Sequence, residues 1–293
     1  MAREIHFPRK PLAVVGKTPS VTACRVIVDP VPLSGAVNMA LDAALLRAAD
    51  EQPAAPVLRV YRWSEPTISL GYFQKSDDLM AHETLTGCPR VRRLTGGGAI
   101  LHHHELTYSC VIPRTHPIRY DPIRLYRLMH RTISQVLAVC GANTDFRSDI
   151  PMQAAEPDAP AGNEEEPFLC FLRTDPRDLA ASGNGITGRP KITGSAQRRR
   201  RGTILQHGSV LLKASSLLPD LSGICNLFPA FELSAFVDML PGRLATLIGS
   251  GQIASDYTDR ERHFAFDDGS SVGRDANQCG DSQIGVLRNS QTS

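Results

Sequence analysis

Cys170 is followed directly by Phe171, and Lys191 stands 21 positions later (191 − 170) at the head of a strand-like run. A thiol is a poor nucleophile while protonated, and a nearby ammonium favours the thiolate. A Cys–Lys pair would therefore serve acyl transfer in both half-reactions. The lysine stabilises the thiolate during acylation and takes a proton from an incoming amine during release. A lone cysteine is more often structural, and sequence spacing says nothing about contact. A second segment, Arg92-Arg93-Leu94-Thr95-Gly96-Gly97-Gly98-Ala99, sets three glycines between two strands, where each costs backbone entropy and packing. Either the chain makes a tight, bulged turn there, or backbone N–H groups approach a ligand closely with Arg92 or Arg93 available for an anionic group. No Gly-Lys-Ser/Thr follows, which excludes a P-loop.

His102-His103-His104 is the third candidate. Consecutive strand residues point to opposite faces, so these three cannot converge on one metal, and no Cys/Asp/Glu cluster at ligand spacing completes a zinc site. One histidine beside a ligand pocket is the preferred reading, and no metal is expected. The fourth is Gly194-Ser195-Ala196-Gln197, then Arg198 to Arg201, Gly202 and Gln206-His207-Gly208. Small residues at 194–196 let chains pack closely or a ligand lie flat. The arginine run reads as the solvated turn of a hairpin in preference to an RNA contact, because no aromatic residues interleave it.

Around these segments, 293 residues suffice for a sizeable core. Apolar content of 42% and charged content of 21% are ordinary for a globular chain. A net charge of +2 implies no broad attraction to nucleic acid or membrane. No stretch approaches the roughly 18 apolar residues of a membrane span, and LAVV near the N-terminus is too short for a secretory h-region. The expected location is the cytoplasm. Seven scattered cysteines without a C-x-x-C pair make neither a disulfide framework nor a zinc knuckle.

The elements that must position these residues follow from periodicity. CRVIVD (24–29) reads as a strand and AVNMALDAALLRAA (36–49) as a helix opened by Ser34-Gly35 and closed by QPAAP (52–56). VLRVYRW (57–63) and TISLGYF (67–73), joined by a Ser-Glu-Pro turn, read as an antiparallel pair. A third sheet region runs through VRRL (91–94), GGGAILH (96–102) and LTYSCVIP (106–113). Asp121 as N-cap, Pro122 at the first helical position and Gly141 at the end frame a clear helix. KITGSAQ (191–197) and TILQHGSVLL (203–212) read as a strand pair about the turn RRRRG (198–202), and helical patterns return at 214–249. The expected organisation is an extended arm at 1–20, a catalytic domain at 21–266 with insertions at about 153–167 (acidic) and 182–190 (Gly-rich), and a disordered tail at 267–293. The expected fold class is α/β (α+β).

Taken in order, NMALDAALL (38–46), PTISLGYFQ (66–74), RRLTGGGAILHHHELTYS (92–109) and KITGSAQRRRRGTILQHGSVLL (191–212) resemble the biotin/lipoate protein ligase and transferase catalytic family, over about Ser34 to Lys213. The nearest likeness is to its cysteine-dependent octanoyltransferase branch, on Cys170-Phe171, Pro176, Asp178-Leu179 and Lys191-Ile192-Thr193-Gly194-Ser195-Ala196-Gln197. ATP-dependent ligases of the family have an Asn-Asp segment where this chain has its cysteine. The resemblance implies a class II synthetase-like mixed, largely antiparallel sheet flanked by helices. It also implies Cys170 and Lys191 as catalytic residues and an acyl pocket along Arg93, Gly96, Gly97, Gly98 and His102. Gly194, Ser195, Ala196 and His207 complete the expected substrate-binding set. Two departures stand out. The family has Asp after the histidine matched to His102, where this chain has His103, and the stretch from Cys170 to Lys191 is longer by about the Gly-rich insertion.

The activity so implied is transfer of octanoate from octanoyl acyl carrier protein, through a Cys170 thioester, to a lysine of a lipoyl domain in lipoate biosynthesis. Acceptors of that kind are the glycine cleavage H protein and 2-oxoacid dehydrogenase E2. Thioester exchange is near balance and thioester-to-amide transfer is downhill, so no cofactor or ATP is expected, and neither is a membrane or nucleic-acid partner. The alternatives are amidotransfer between lipoyl domains, an ATP-dependent lipoate-protein ligase, and a non-enzymatic binding protein using Arg198–Arg201.

Overall fold

The alternating run Cys24–Val28 forms β1, after which the Ser34 side chain accepts from the Val37 N–H and starts α1 (Gly35–Glu51). In this computed structural model the described residues are 23–53, 55–75, 83–149, 167–173, 175–183 and 185–266. The expected arm at 1–20 and tail at 267–293 lie outside them, as does all of the acidic insertion but Pro167.

The next strand, β2 (Val57–Tyr61), is buried at every residue because it is internal to a sheet. It runs parallel to β1 and antiparallel to β6 (Glu105–Ile112). The expected antiparallel pair of 57–63 with 67–73 does not form. The second run becomes β3 (Thr67–Leu70) of a separate three-stranded sheet, parallel to β4 (Arg90–Arg92) and antiparallel to β5 (Ile100–His102). The intervening link carries no reversing hairpin. Trp63 instead bridges Leu33, and Ile68 N–H bonds Pro89 O, so the chain leaves one sheet and enters the other. The third sheet region likewise divides, with β4 and β5 in the small sheet and β6 in the large one.

Asp121 caps α2 (Pro122–Val139), accepting from the Arg124 N–H, and Gly141 follows its end with φ +94°. Short strands β7 (Thr144–Phe146) and β8 (Leu179–Ala181) lead to the long hairpin β9 (Lys191–Arg200) and β10 (Thr203–Leu211). This hairpin corrects the expected RRRRG turn. The reversal uses Arg201 and Gly202 alone, at φ +46° and +88°, and Arg198–Arg200 continue β9. A two-residue loop with both residues left-handed matches the twist of the flanking strands. The Gly-rich insertion is the connection between antiparallel β8 and β9, and none of its described residues is fully buried. Its extra length therefore projects from a strand end without separating Cys170 from Lys191.

The helices α3 (Ile224–Leu227) and α4 (Leu233–Ile248), the edge strand β11 (Gln252–Ala254) and α5 (Asp259–Phe266) complete the described residues. The large sheet has the order β11-β1-β2-β6-β10-β9-β8-β7, parallel only at β11-β1-β2. On one face, α2 and α4 pack Leu125, Met129, Ile133, Phe236 and Leu244 against Val60, Tyr108 and Val210. On the other, α1 packs Val37, Leu41 and Leu45 against Val57, Val111 and Leu205. This is a mixed, largely antiparallel sheet flanked by helices, in the class II synthetase-like arrangement. No helix among the described residues is long and apolar enough to cross a membrane.

Candidate active site

A cavity of about 520 Å³ including its mouth opens between the two sheets, on the α1 face of the large one. Strand register builds its floor. Gly194 on β9 pairs with Ser209 on β10, Ser209 with Thr107 on β6, and Thr107 with Tyr61 on β2. All four line the cavity, because register partners share a face of the sheet. The opposing wall comes from the small sheet and its glycine turn, with Arg93, Gly96, Gly97, Ile100 and His102. Gly97 adopts φ +92°, which a side-chain-bearing residue rarely tolerates.

Cys170 and Phe171 enter the wall from a single 3-10 turn, Cys170–Leu172, held to the glycine segment by Cys170 N–H donating to Ala99 O at 2.7 Å. Lys191, the first residue of β9, brings Nζ to 3.9 Å from Cys170 Sγ and donates to Cys170 O at 3.1 Å. It also forms an ion pair with Asp178 at 2.7 Å, and the two residues are 6% and 1% exposed. Burial pushes the Asp178 carboxyl up, against the pull of the Lys191 charge and hydrogen bond. Gly194 makes room for this lysine, since a Cβ there would stand 2.7 Å from Lys191 Cε.

Arg93 is 2% exposed and meets no carboxylate among the described residues. Its guanidinium donates to Ser69 O, Gly96 O and Gly98 O, so it holds the glycine turn in shape while leaving a positive charge beside the cavity. Burial lowers its pKa to about 10, and the Cys170 sulfur acts in the opposite direction. His102 stacks on Trp63 at 3.8 Å between ring centroids. Its Nδ1 meets Glu105 Oε1 at 2.7 Å and its Nε2 meets Ser69 Oγ at 2.7 Å. Burial alone would raise the Glu105 pKa, but the charge and hydrogen bond of His102 and the hydroxyls of Ser209 and Thr107 hold it below the ordinary value. On the same floor, His207 Nε2 bonds Thr95 Oγ1 at 2.6 Å and Nδ1 faces Asp42 at 3.4 Å. Burial pushes His207 down while Asp42 pulls it up.

Of the residues singled out from sequence, Arg93, Gly96, Gly97, His102, Cys170, Gly194, Ser195, Ala196 and His207 all line this one cavity. Gly98 and Lys191 stand just behind it. Gly98 backs onto Arg173 and Phe168 O, and Lys191 touches Cys170 from under Gly194. The Ser195 hydroxyl turns to the far face, where His130 Nε2 and the Tyr108 hydroxyl meet it at 2.6 and 2.9 Å. The histidine triplet is not one strand. His102 ends β5, whereas His103 and His104 form the turn into β6 with rings stacked at 3.5 Å. No three His, Cys, Asp or Glu side chains gather as for a metal among the described residues.

Several site residues escape the sequence reading. The carboxylate partner of His102 is Glu105, three positions on, and the tight His103–His104 turn is what returns it to that ring. Asp178 was legible only as an acidic step before a leucine. Met39, Tyr61, Trp63, Thr107 and Ser209 line the cavity through packing and register. The signal available for Met39 and Asp42 was their spacing of three on one face of α1.

The profile of the family described as lipoyl protein ligase A/B catalytic domain matches residues 34–230. The octanoyltransferase LipM of Oceanobacillus iheyensis is 38% identical over 194 residues, 65% of this chain and 65% of that protein. The octanoyltransferase LipM of Carboxydothermus hydrogenoformans is 39% identical over 189 residues, 64% of each. The chain thus spans 64–65% of the length of these curated relatives. Among solved structures, the bipartite lipoate protein ligase of Thermoplasma acidophilum superposes with a TM-score of 0.59 at 19% identity, covering 83% of this chain and 91% of that one. Lipoate-protein ligase A bound with ATP gives 0.58 at 19%, covering 83% and 93%. At such identity these two speak for the fold.

Proposed function

We propose that this chain, which belongs to the lipoyl protein ligase A/B catalytic-domain family, is an octanoyltransferase that carries its acyl group on Cys170 and delivers it to a lysine of a lipoyl domain. The observation that carries the reading is the Lys191 ammonium 3.9 Å from the Cys170 sulfur at the wall of a largely apolar cavity. The curated relatives named octanoyltransferases support the acyl group, and a ligase of the same fold described with its E2 lipoyl domain supports the acceptor.

In the first half-reaction the Cys170 sulfur attacks the octanoyl thioester of an acyl carrier protein. The carrier sulfur leaves and takes up the proton that Cys170 gave up. Lys191 compensates negative charge on the attacking sulfur, and its fixed ion pair with Asp178 keeps the ammonium aimed at Cys170 without reorganisation. In the second half-reaction the ε-amine of the acceptor lysine attacks the acyl-enzyme carbonyl and the C–S bond breaks. The amine proton returns to Cys170 by way of Lys191, and an amide remains on the acceptor. The Lys191 ammonium and the amides of the Gly96–Gly98 turn are the groups assigned to the developing oxyanion.

The test is incubation with octanoyl carrier protein followed by intact-mass measurement. A hydroxylamine-labile octanoyl adduct on Cys170, lost in Cys170→Ala and chased onto an apo lipoyl domain without pyrophosphate release, is expected. Full transfer by Cys170→Ala would reject the mechanism.

A further inference from the structure

The floor of the cavity is a ruler. Gly194, Ser209, Thr107 and Tyr61 lie in one register row across β9, β10, β6 and β2. Neighbouring strands lie about 4.8 Å apart, so the row spans three gaps, or about 14 Å. The reacting end is at β9, where Lys191 and Cys170 meet beside Gly194. At the β2 end the row runs into a closed cluster of Met39 from α1 with Tyr61 and Trp63. Those three are 4%, 2% and 5% exposed, and all three line the cavity.

The polar atoms along the row are already engaged. The Thr107 and Ser209 hydroxyls both donate to Glu105 Oε1 at 2.6 Å, and Trp63 Nε1–H donates to Thr107 Oγ1 at 2.9 Å. The Tyr61 hydroxyl donates to Asp42 at 3.0 Å. What faces the cavity from these residues is therefore carbon, suited to an aliphatic chain laid across the strands.

We infer that the acyl chain runs from Cys170 along this row and stops on Met39, Tyr61 and Trp63, and that Met39 is the adjustable member that sets chain length. The inference rests on the thioester reading above and adds where the chain lies and what ends it. A saturated chain with bonds of about 1.5 Å advances about 1.25 Å per carbon in its zigzag, so an octanoyl thioester extends about 10 Å from sulfur. That fills the row once the reach of the cysteine side chain is included, and two further carbons would strike the cluster. Tyr61 and Trp63 are pinned by hydrogen bonds to Asp42 and Thr107. Met39 is held by packing alone, and its unbranched side chain is the one whose truncation lengthens the slot.

The experiment loads the native chain, Met39→Ala and Met39→Phe from a series of acyl carrier thioesters of six to twelve carbons, reading the rate of Cys170 adduct formation by intact mass. The native preference should peak at eight carbons. Met39→Ala should move the peak to ten or beyond, with roughly a fifteenfold gain for the ten-carbon chain relative to octanoyl, since each of its two extra buried methylenes is worth roughly fourfold. Met39→Phe should move the peak to six. Met129→Ala, a truncation of a fully buried methionine on the opposite face of the sheet, serves as the control for lost stability. Octanoyl loading with an unmoved length profile in both Met39 variants overturns the inference and leaves the thioester reading standing. Absence of any adduct in the native chain at every length overturns the reading, and the inference with it. Should Met39→Ala not fold, the shift in Met39→Phe decides alone.

Discussion

Replacing Lys191 by Met tests whether the buried ion pair serves catalysis or only holds the fold. Lys191 and Asp178 have side chains 3% and 2% exposed, joined at 2.7 Å. Deleting the ammonium leaves a buried carboxylate without its counter-charge, which costs about 3–5 kcal/mol. The Tyr126 hydroxyl and Asp175 N–H still donate to that carboxylate, which points to the lower end of the range. At about 2–4 °C of melting temperature per kcal/mol for a domain of this size, Lys191→Met should melt roughly 10 °C lower. Replacing Asp178 by Asn in the same chain removes the orphaned charge while preserving shape, and neutral replacement of a buried pair is often close to isoenergetic. The double variant should therefore recover most of the lost melting temperature. Activity should not follow. Without the Lys191 ammonium beside the sulfur and a carrier for the amine proton, transfer should stay about 10²–10⁴-fold below the native rate in both variants. Calorimetry and the carrier-protein mass assay, run on all four members of the cycle, separate the two effects. Native-like transfer by the refolded double variant would refute the catalytic assignment of Lys191, and failure to recover stability would refute the reading of the pair as an isolated charge balance.

Two further outcomes follow from the same geometry. Gly71→Ala would drive a Cβ into Gly97 O on the glycine turn, so it should lower Cys170 loading at least tenfold while octanoyl carrier protein docking, read by titration, is retained. Burial lowers the His130 pKa to about 3 from an ordinary 6.5. The unfolded chain therefore binds a proton that the folded chain refuses between pH 6.5 and 3, and stability falls as pH falls through that window, by up to about 4–5 kcal/mol. His130→Gln, which keeps a polar contact toward Ser195, should flatten that acid limb in denaturant titrations, and an unchanged slope would count against it.

Chemistry was legible from the sequence where it is local. The cap at Asp121, the glycines between two strands, the strand pair around 191–212 and the order of the motifs are all properties of neighbouring residues, and they identify the family and the pieces of the site. Sheet membership was not legible. The strands at 57–61 and 67–70 look alike as isolated alternating runs, and only the competition for partners, β1 and β6 against β4 and β5, sends them to different sheets. The turn at 201–202 is a finer case. Four identical arginines carry no sign of where the reversal falls, and the left-handed backbone at Arg201 and Gly202 is chosen by the β9–β10 register.

The same division holds within the site. Residue type marked Cys170 and Lys191 as a possible pair, but a 3.9 Å approach across 21 residues exists because Cys170 is bonded to Ala99 on one side and Lys191 opens β9 on the other. Asp178, Glu105 and Met39 reach the site only through contacts that the fold creates, an ion pair under β9, a carboxylate returned to His102 by a two-histidine turn, and packing against Tyr61 and Trp63 in the cavity wall. Amino-acid chemistry is written residue by residue, whereas a cavity belongs to the space between elements distant in the chain, and only their packing decides its length and what stands at each end.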